Sequence, residues 1–218
     1  MKKKSIVSLI VIAALAISML SVGLISAYFT DTETQTNVFT VGKIDVELLE
    51  PNWAEPTNIL PEQEFAKDPQ IKNVGVNDAY VFMEVEVPYA NIVTATDDGS
   101  KNASADTELF TYEVNDGWVL MGSGEKNETN KTVTYLYAYA VDNEMTVLNK
   151  DATTNTLFDY IKFVNVVDGQ GIEGGIQNVV VKAYAVQTTN INDGKATLDG
   201  NNSDGKVTPA EVWSVISK

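Results

Sequence analysis

The chain has 218 residues, enough for one domain of ordinary size with a hydrophobic core, or for at most two small domains. It contains 30 acidic and 15 basic residues, which give a net charge of −15, and it has neither cysteine nor histidine. These absences exclude disulfides, thiol nucleophiles and the histidine-dependent triads and zinc sites that most hydrolases use.

The N-terminus has the layout of a secretory signal peptide. Lys2, Lys3 and Lys4 precede an uncharged apolar run that ends in the small residues Ser26 and Ala27. We predict a signal peptide over residues 1–27, cleavage between Ala27 and Tyr28, and membrane contact only before that cleavage. The alternative is an uncleaved anchor, because residues 6–27 are long enough to span a bilayer.

Cleavage would make the mature chain more acidic. Residues 1–27 hold three lysines and no acid, so 12 basic and 30 acidic residues would remain, a net charge of −18. Such a surface repels nucleic acid, and we expect no nucleic acid partner. It favours solubility, and it allows cation binding or association that depends on salt.

Residues 28–41, YFTDTETQTNVFTV, alternate as a β-strand does. Threonine, which favours extended backbone, recurs at every second position, and polar or acidic residues stand between the threonines. Aromatic and apolar residues lie at the two ends of the segment. The residues that define this pattern are Tyr28, Phe29, Thr30, Thr32, Thr34, Thr36, Val38, Phe39 and Val41.

From Val38 onward the hydrophobic period is two, and we predict one β-sandwich domain over residues 42–218. Many strands and turn-rich connections favour an all-β antiparallel sandwich. Stretches rich in Gly, Asn, Asp, Ser and Thr are predicted to be loops. The predicted strands lie in residues 43–49, 79–88, 109–114, 118–121, 132–141, 160–167 and 176–187, with 109–114 and 118–121 joined as a hairpin; the predicted loops are 94–107, 122–131 and 189–206.

Two short helices are predicted within this all-β pattern. Residues 156–161, TLFDYI, begin with a weak cap formed by Thr156 and Asp159. The stretch that starts at Thr208 is stronger, because Thr208, Pro209 and Glu211 match a capping box with proline at the first helical position.

The stretch GNNSDGKVTPAE carries the only candidate cofactor site, one for calcium. An EF-hand-like alignment places Asn202, Asp204 and Glu211 at ligand positions, with Asp199 one residue out of register. The alternative is that SDGK is a turn and that Glu211 belongs to the helix cap. No other cofactor is expected.

Several segments, taken in order, carry a family resemblance. AYFTDTE, NVFTVGKIDVEL, residues 60–88, TLFDYIKF, VVVKAYAVQ and AEVWSVIS together resemble the TasA and camelysin family. These are secreted proteins of Gram-positive bacteria that are exported with a dedicated signal peptidase and occur in biofilm-matrix fibres. The resemblance covers nearly the whole chain, apart from the polar loops.

This resemblance implies a jelly-roll-like sandwich and a role as the subunit of an extracellular fibre. Residues 28–41 would leave their own domain and add a strand to the next subunit, so the partners would be further copies of the chain, head to tail, and the signal peptidase. An accessory matrix protein remains open as a further partner. The alternatives for residues 28–41 are a frayed terminus or the first strand of their own sheet.

The alternatives to a fibre subunit are a monomeric binding protein and a protease. The runner-up is a monomeric surface adhesin or calcium-dependent binding module of the same fold. Some camelysin-type relatives are described as metalloproteases, but a zincin needs two histidines one helical turn apart, and this chain has none. We therefore expect no enzymatic activity and name no catalytic residue.

Overall fold

The described part of the chain consists mostly of antiparallel strands, which confirms the predicted all-β class with a short helix. The computed structural model describes residues 44–173, 175, 177–189 and 206–217. Within them the strands are β1 (Val46–Leu49), β2 (Glu64–Ala66), β3 (Gln70–Asn73), β4 (Ala79–Ile92), β5 (Ala105–Glu108), β6 (Phe110–Thr111), β7 (Trp118–Leu120), β8 (Glu125–Asn127), β9 (Thr132–Val141), β10 (Glu144–Met145), β11 (Tyr160–Phe163) and β12 (Val180–Gln187). The helix, α1, spans Pro209–Ile216.

The strands form three sheets. The main sheet has the order β10-β9-β4-β12, and it is extended by β5 beside β4 and by β7 and β8 beside β9. A second sheet has the order β2-β11-β6, and a third consists of β1 and β3. The long strand β4 pairs with β9 up to Pro88 and with β5 from Tyr89 onward, so it ties distant parts of the sheet together.

The larger hydrophobic core joins the main sheet to the three-stranded sheet. Alternation along β4 turns Val81, Met83, Val85 and Val87 toward this core, where all four are fully buried. Burying a side chain of this size stabilises the fold by about 1.5–3 kcal/mol. The three-stranded sheet contributes Phe65, Phe110, Ile161 and Phe163 to the same core.

The helix α1 covers the opposite face of the main sheet. Trp213 packs against Phe82 and Tyr184, with ring centroids 5.2 and 5.4 Å apart. The predicted capping box is confirmed, because the Thr208 N–H donates to Glu211 Oε2 at 2.8 Å and the Glu211 N–H donates to Thr208 Oγ1 at 3.4 Å. The sequence pattern therefore located this helix correctly.

The second predicted helix, over residues 156–161, is wrong. Residues 156–159 are irregular, and β11 begins at Tyr160. The Leu157 N–H donates to the Pro69 carbonyl, and the Thr156 hydroxyl donates to Asp159 Oδ1 at 2.7 Å. Because Leu157 and Phe158 are both fully buried, tertiary packing overrides the weak cap.

The predicted hairpin between residues 109–114 and 118–121 is also wrong. β6 pairs with β11, whereas β7 pairs with β9 in the main sheet. Between them the Asn115 N–H donates to the Leu157 carbonyl, and the Gly117 carbonyl accepts from the Ala140 N–H. The chain thus crosses from one sheet to the other at residues 115–117, where Gly117 takes a φ of +88° that favours glycine.

Two of the predicted polar loops contain short strands. β5 begins inside the predicted loop 94–107 and ends one residue beyond it, at Glu108. β8 lies within the predicted loop 122–131. Both strands are largely exposed and polar, so hydrophobic alternation gave no signal for them. Lys126 of β8 forms ion pairs with Asp106 of β5 and with Glu128, at 2.5 and 2.9 Å.

Candidate functional site

An apolar cleft lies over the inner face of the three-stranded sheet. Its floor is built from Phe65 of β2, Phe110 of β6, and Ile161 and Phe163 of β11. Strand pairing sets Phe65 opposite Ile161 and Phe110 opposite Phe163, and the last two rings have centroids 5.4 Å apart. The cleft has a volume of about 1020 Å³, which is large enough to hold an extended peptide or a sizeable ligand.

Two irregular segments form the walls of the cleft. The first wall is residues 53–61, which contribute Trp53, Ile59 and Leu60; the second lies within residues 166–179, where Val166, Ile172 and Val179 line the cleft. Leu60 is 66% exposed, so the apolar lining reaches the mouth of the cleft. An exposed apolar surface of this kind marks a candidate interaction site.

The first wall is anchored by two buried charged residues that follow β2. The Lys67 ammonium lies 2.6 Å from Glu50 Oε1 and 4.6 Å from the ring centroid of Trp53. The Asp68 carboxylate accepts the Asn52 N–H at 3.0 Å and the Asn52 Nδ2 amide at 2.7 Å. Lys67 and Asp68 are 5% and 4% exposed, so these contacts act in a poorly hydrated environment and fix the start of the wall.

Charge around the cleft is negative at the mouth and balanced inside. Exposed acids line the mouth, namely Glu55, Asp168 and Glu173. The Glu173 carboxylate accepts the N–H groups of Gln170 and Gly171 at 2.9 and 2.7 Å. Hydrogen bonds from its own backbone N–H and from that of Gln170 hold the pKa of Glu173 below its usual range, so this acid stays ionised at neutral pH. Among the described lining residues Lys67 is the only base, and Glu50 neutralises it.

An open strand edge lies at the side of the cleft. Among the described residues β2 pairs only with β11, so the other edge of β2 has no strand partner. A strand edge of this kind presents unpaired N–H and C=O groups that another extended segment can satisfy. The cleft therefore offers an apolar floor and an unpaired backbone edge together.

We expect Lys67→Met to lower the free energy of unfolding by about 2 kcal/mol, because the substitution leaves the Glu50 carboxylate, which is only 20% exposed, without its cation. Adding Glu50→Gln should restore most of that loss, since a neutral pair has no unpaired charge. Urea unfolding of the two single variants and the double variant measures the coupling. As a control, Lys150→Met removes a 54% exposed lysine and should change stability by less than about 0.5 kcal/mol. Equal losses for the Lys67 and Lys150 variants would contradict the anchoring role.

Most site residues predicted from the sequence lie outside the described residues. These are the cleavage pair Ala27 and Tyr28, the segment 28–41, and the calcium candidates Asp199, Asn202 and Asp204. The fourth calcium candidate, Glu211, lies in the helix cap, where its carboxylate accepts the N–H and the hydroxyl of Thr208. Calcium binding thus stays a prediction.

No pattern in the sequence indicated the cleft. Its floor comes from positions near 65, 110 and 161, and the strands that carry them are two to four residues long. β6 and β11 lie within the predicted strands 109–114 and 160–167, whereas the three residues of β2 give no clear period, and no local pattern indicates that the three strands pair. Within the described residues there is no group of three or more Asp, Glu, His or Cys side chains suited to hold a metal ion, and no helix is long and apolar enough to span a membrane.

Comparison with known proteins supports the resemblance seen in the sequence. A family model described as camelysin metallo-endopeptidase matches residues 1–116, which is more than half of the chain. No curated protein matches the chain. The match includes the N-terminal segment and the strands up to β6, which carries one side of the cleft floor. The chain therefore belongs to the camelysin family.

Proposed function

We propose that the protein is a secreted subunit of an extracellular fibre in which residues 28–41 of one copy occupy the cleft of the next copy. The observation that carries this proposal is the open apolar cleft beside the edge of β2 that has no strand partner among the described residues. A strand laid there would satisfy backbone groups of β2 and cover the exposed apolar side chains of the first wall, Trp53 and Leu60, above the buried floor.

Energetics favour an occupant of this kind. Covering apolar surface stabilises a complex by roughly 25 cal/mol for each Å² removed from water, and the backbone hydrogen bonds of an added strand contribute further. Ordering a free segment offsets part of that gain. A segment rich in β-branched threonine loses less conformational entropy when it becomes an ordered strand, because its side chains are already restricted. Residues 28–41 carry five threonines, at positions 30, 32, 34, 36 and 40.

The geometry of such a contact leads to a fibre. The donated segment precedes β1 in sequence, whereas the cleft is lined by β2, β6 and β11, so donor and acceptor are different surfaces of the chain. A contact between two different surfaces is heterologous, and heterologous contacts build open filaments when they do not close into rings. Signal peptide cleavage would be required before assembly, because it frees Tyr28 from the membrane.

We also propose that the protein acts without catalysis, although the family description names a metallo-endopeptidase. The chain has no histidine and no cysteine, so neither a histidine-based zinc site nor a thiol or histidine triad can be built from it. A zinc site held by carboxylates alone would be unusual for a peptidase. Fibre formation would itself be the activity.

Negative-stain electron microscopy tests the proposal. Mature protein that begins at Tyr28 is compared with a truncation that begins at Gly42, both at high concentration, with and without calcium. We expect fibres from the first and monomers from the second. Fibres from both would place the assembly contact elsewhere, and fibres from neither would favour the monomeric adhesin or calcium-dependent binding module. Incubation of the same samples with labelled casein tests the absence of catalysis, which cleavage that persists through purification would contradict.

A further inference from the structure

We infer that the cleft accepts one particular face of the donated segment, the uncharged face that carries Thr30, Thr32, Thr34 and Thr36. The opposite face, with Asp31 and Glu33, would point away from the floor. This inference rests on the proposed function and adds to it the chemistry by which the cleft recognises its partner. It treats the partner as an extended strand of a second copy of this chain.

The segment has two chemically different faces when it is extended. Side chains of a strand alternate, so positions of even number lie on one face and positions of odd number on the other. The even face is uncharged, with Tyr28, the threonines and Val38. The odd face carries both charges of the segment, which are acidic, together with Gln35 and Asn37 in the middle and with apolar residues only at its two ends, namely Phe29, Phe39 and Val41.

Among the lining residues that the structure describes, the interior of the cleft has no cation free to receive a carboxylate. Lys67 is the only base among the described lining residues, and its ammonium already lies 2.6 Å from Glu50. An acid of the incoming strand would therefore be buried against phenylalanine rings without a counter-ion, which is strongly unfavourable. At the mouth it would meet the acids Glu55 and Glu173 as well.

Threonine suits the cleft better than any charged residue. Its methyl group matches the apolar floor, and its hydroxyl needs only a hydrogen-bond partner, not a counter-ion, when buried. The walls supply such groups beside the floor, in the side chains of Thr57, Asn58, Gln177 and Asn178. The cleft and the even face of the segment are thus alike in combining apolar surface with uncharged polar groups.

The two faces would also fix the register of the added strand. A slip by one residue turns every side chain of a strand to the other face. Here such a slip would bring Asp31 and Glu33 onto the floor. The acids of the odd face would therefore act against misaligned assembly, in addition to keeping the free segment soluble.

The test compares two double variants of the mature chain, residues 28–218, that add the same charge to opposite faces. Thr32→Asp with Thr34→Asp adds two acids to the even face, and Gln35→Asp with Asn37→Asp adds two acids to the odd face. Sedimentation and electron microscopy give the lowest concentration at which each protein forms fibres. We expect the even-face variant to need at least about 100-fold more protein than wild type, and the odd-face variant to stay within about 5-fold.

A third variant separates charge from strand propensity. Thr32→Asn with Thr34→Asn lowers the preference for extended backbone without adding charge. We expect this variant to assemble far better than the even-face aspartate variant. Equal loss in the two aspartate variants, or greater loss in the odd-face variant, would overturn the assignment of faces. Failure of the proposed function looks different, because wild-type protein would then form no fibres, or would form them equally well without residues 28–41.

Discussion

Replacing Asn73 with leucine is expected to lower the free energy of unfolding by about 3 kcal/mol, since it leaves buried backbone groups without hydrogen bonds. Asn73 ends β3 and is completely buried. Its Nδ2 amide donates to the carbonyls of Asn77 and Leu148 at 2.9 and 3.0 Å, and its Oδ1 accepts the Gly75 N–H at 3.0 Å.

The cost arises because leucine fills a similar volume but forms none of these bonds. The Leu148 carbonyl would keep a second partner, the Ala79 N–H at 3.0 Å. The Gly75 N–H and the Asn77 carbonyl have no other partner among the described residues. An unsatisfied buried group of this kind costs about 1–3 kcal/mol.

Urea unfolding followed by circular dichroism measures this loss. The matched control is Asn102→Leu, because Asn102 is exposed and, among the described residues, its Nδ2 bonds only to Thr94 Oγ1, at 2.9 Å. That control should change stability by less than about 0.5 kcal/mol. A loss below about 1 kcal/mol in Asn73→Leu would mean that water or local rearrangement satisfies the exposed groups.

Long, regular patterns explain the parts of the fold that the sequence predicted correctly. β4 and β9 have 14 and 10 residues, and in both, alternate side chains face the core, so a period of two is visible without any knowledge of partners. The helix α1 was found because a capping box is a local signal, complete within the four residues from Thr208 to Glu211.

The errors and omissions have a different physical origin. β6 and β7 were predicted to pair because they are neighbours in sequence, yet their partners are β11 and β9. Residues 156–159 were predicted to be helical, although long-range contacts bury Leu157 and Phe158. In each case the deciding interaction joins residues far apart in the chain, and no local pattern records it.

The candidate site was beyond prediction for the same reason. Phe65, Phe110 and Ile161 approach one another only because β2, β11 and β6 pair in that spatial order. The prediction that residues 28–41 serve as a donated strand came from the family resemblance and from threonine alternation. The sequence thus indicated a donor, whereas the cleft proposed here as its acceptor could be described only from the tertiary structure.

Leu60→Asp is expected to abolish fibre formation by the mature chain while leaving the melting temperature of the subunit within about 2 °C of wild type. Leu60 lines the cleft and is 66% exposed, so the folded subunit does not depend on its burial. An incoming strand would cover this position, and a carboxylate there would be desolvated beside the acids of the cleft mouth. That cost is several kcal/mol, enough to raise the concentration needed for assembly more than about 100-fold.

The matched control is Val141→Asp, which places the same charge on another exposed apolar residue. Val141 ends β9, is 55% exposed and does not line the cleft. Both variants add one negative charge, so any general repulsion between subunits affects them equally. Fibre formation by the Val141 variant together with its loss in the Leu60 variant would tie assembly to the cleft itself. If the Leu60 variant forms fibres at the wild-type concentration, the donated segment does not contact this wall, and the acceptor must be a different strand edge. One such edge is on β12, which among the described residues pairs only with β4.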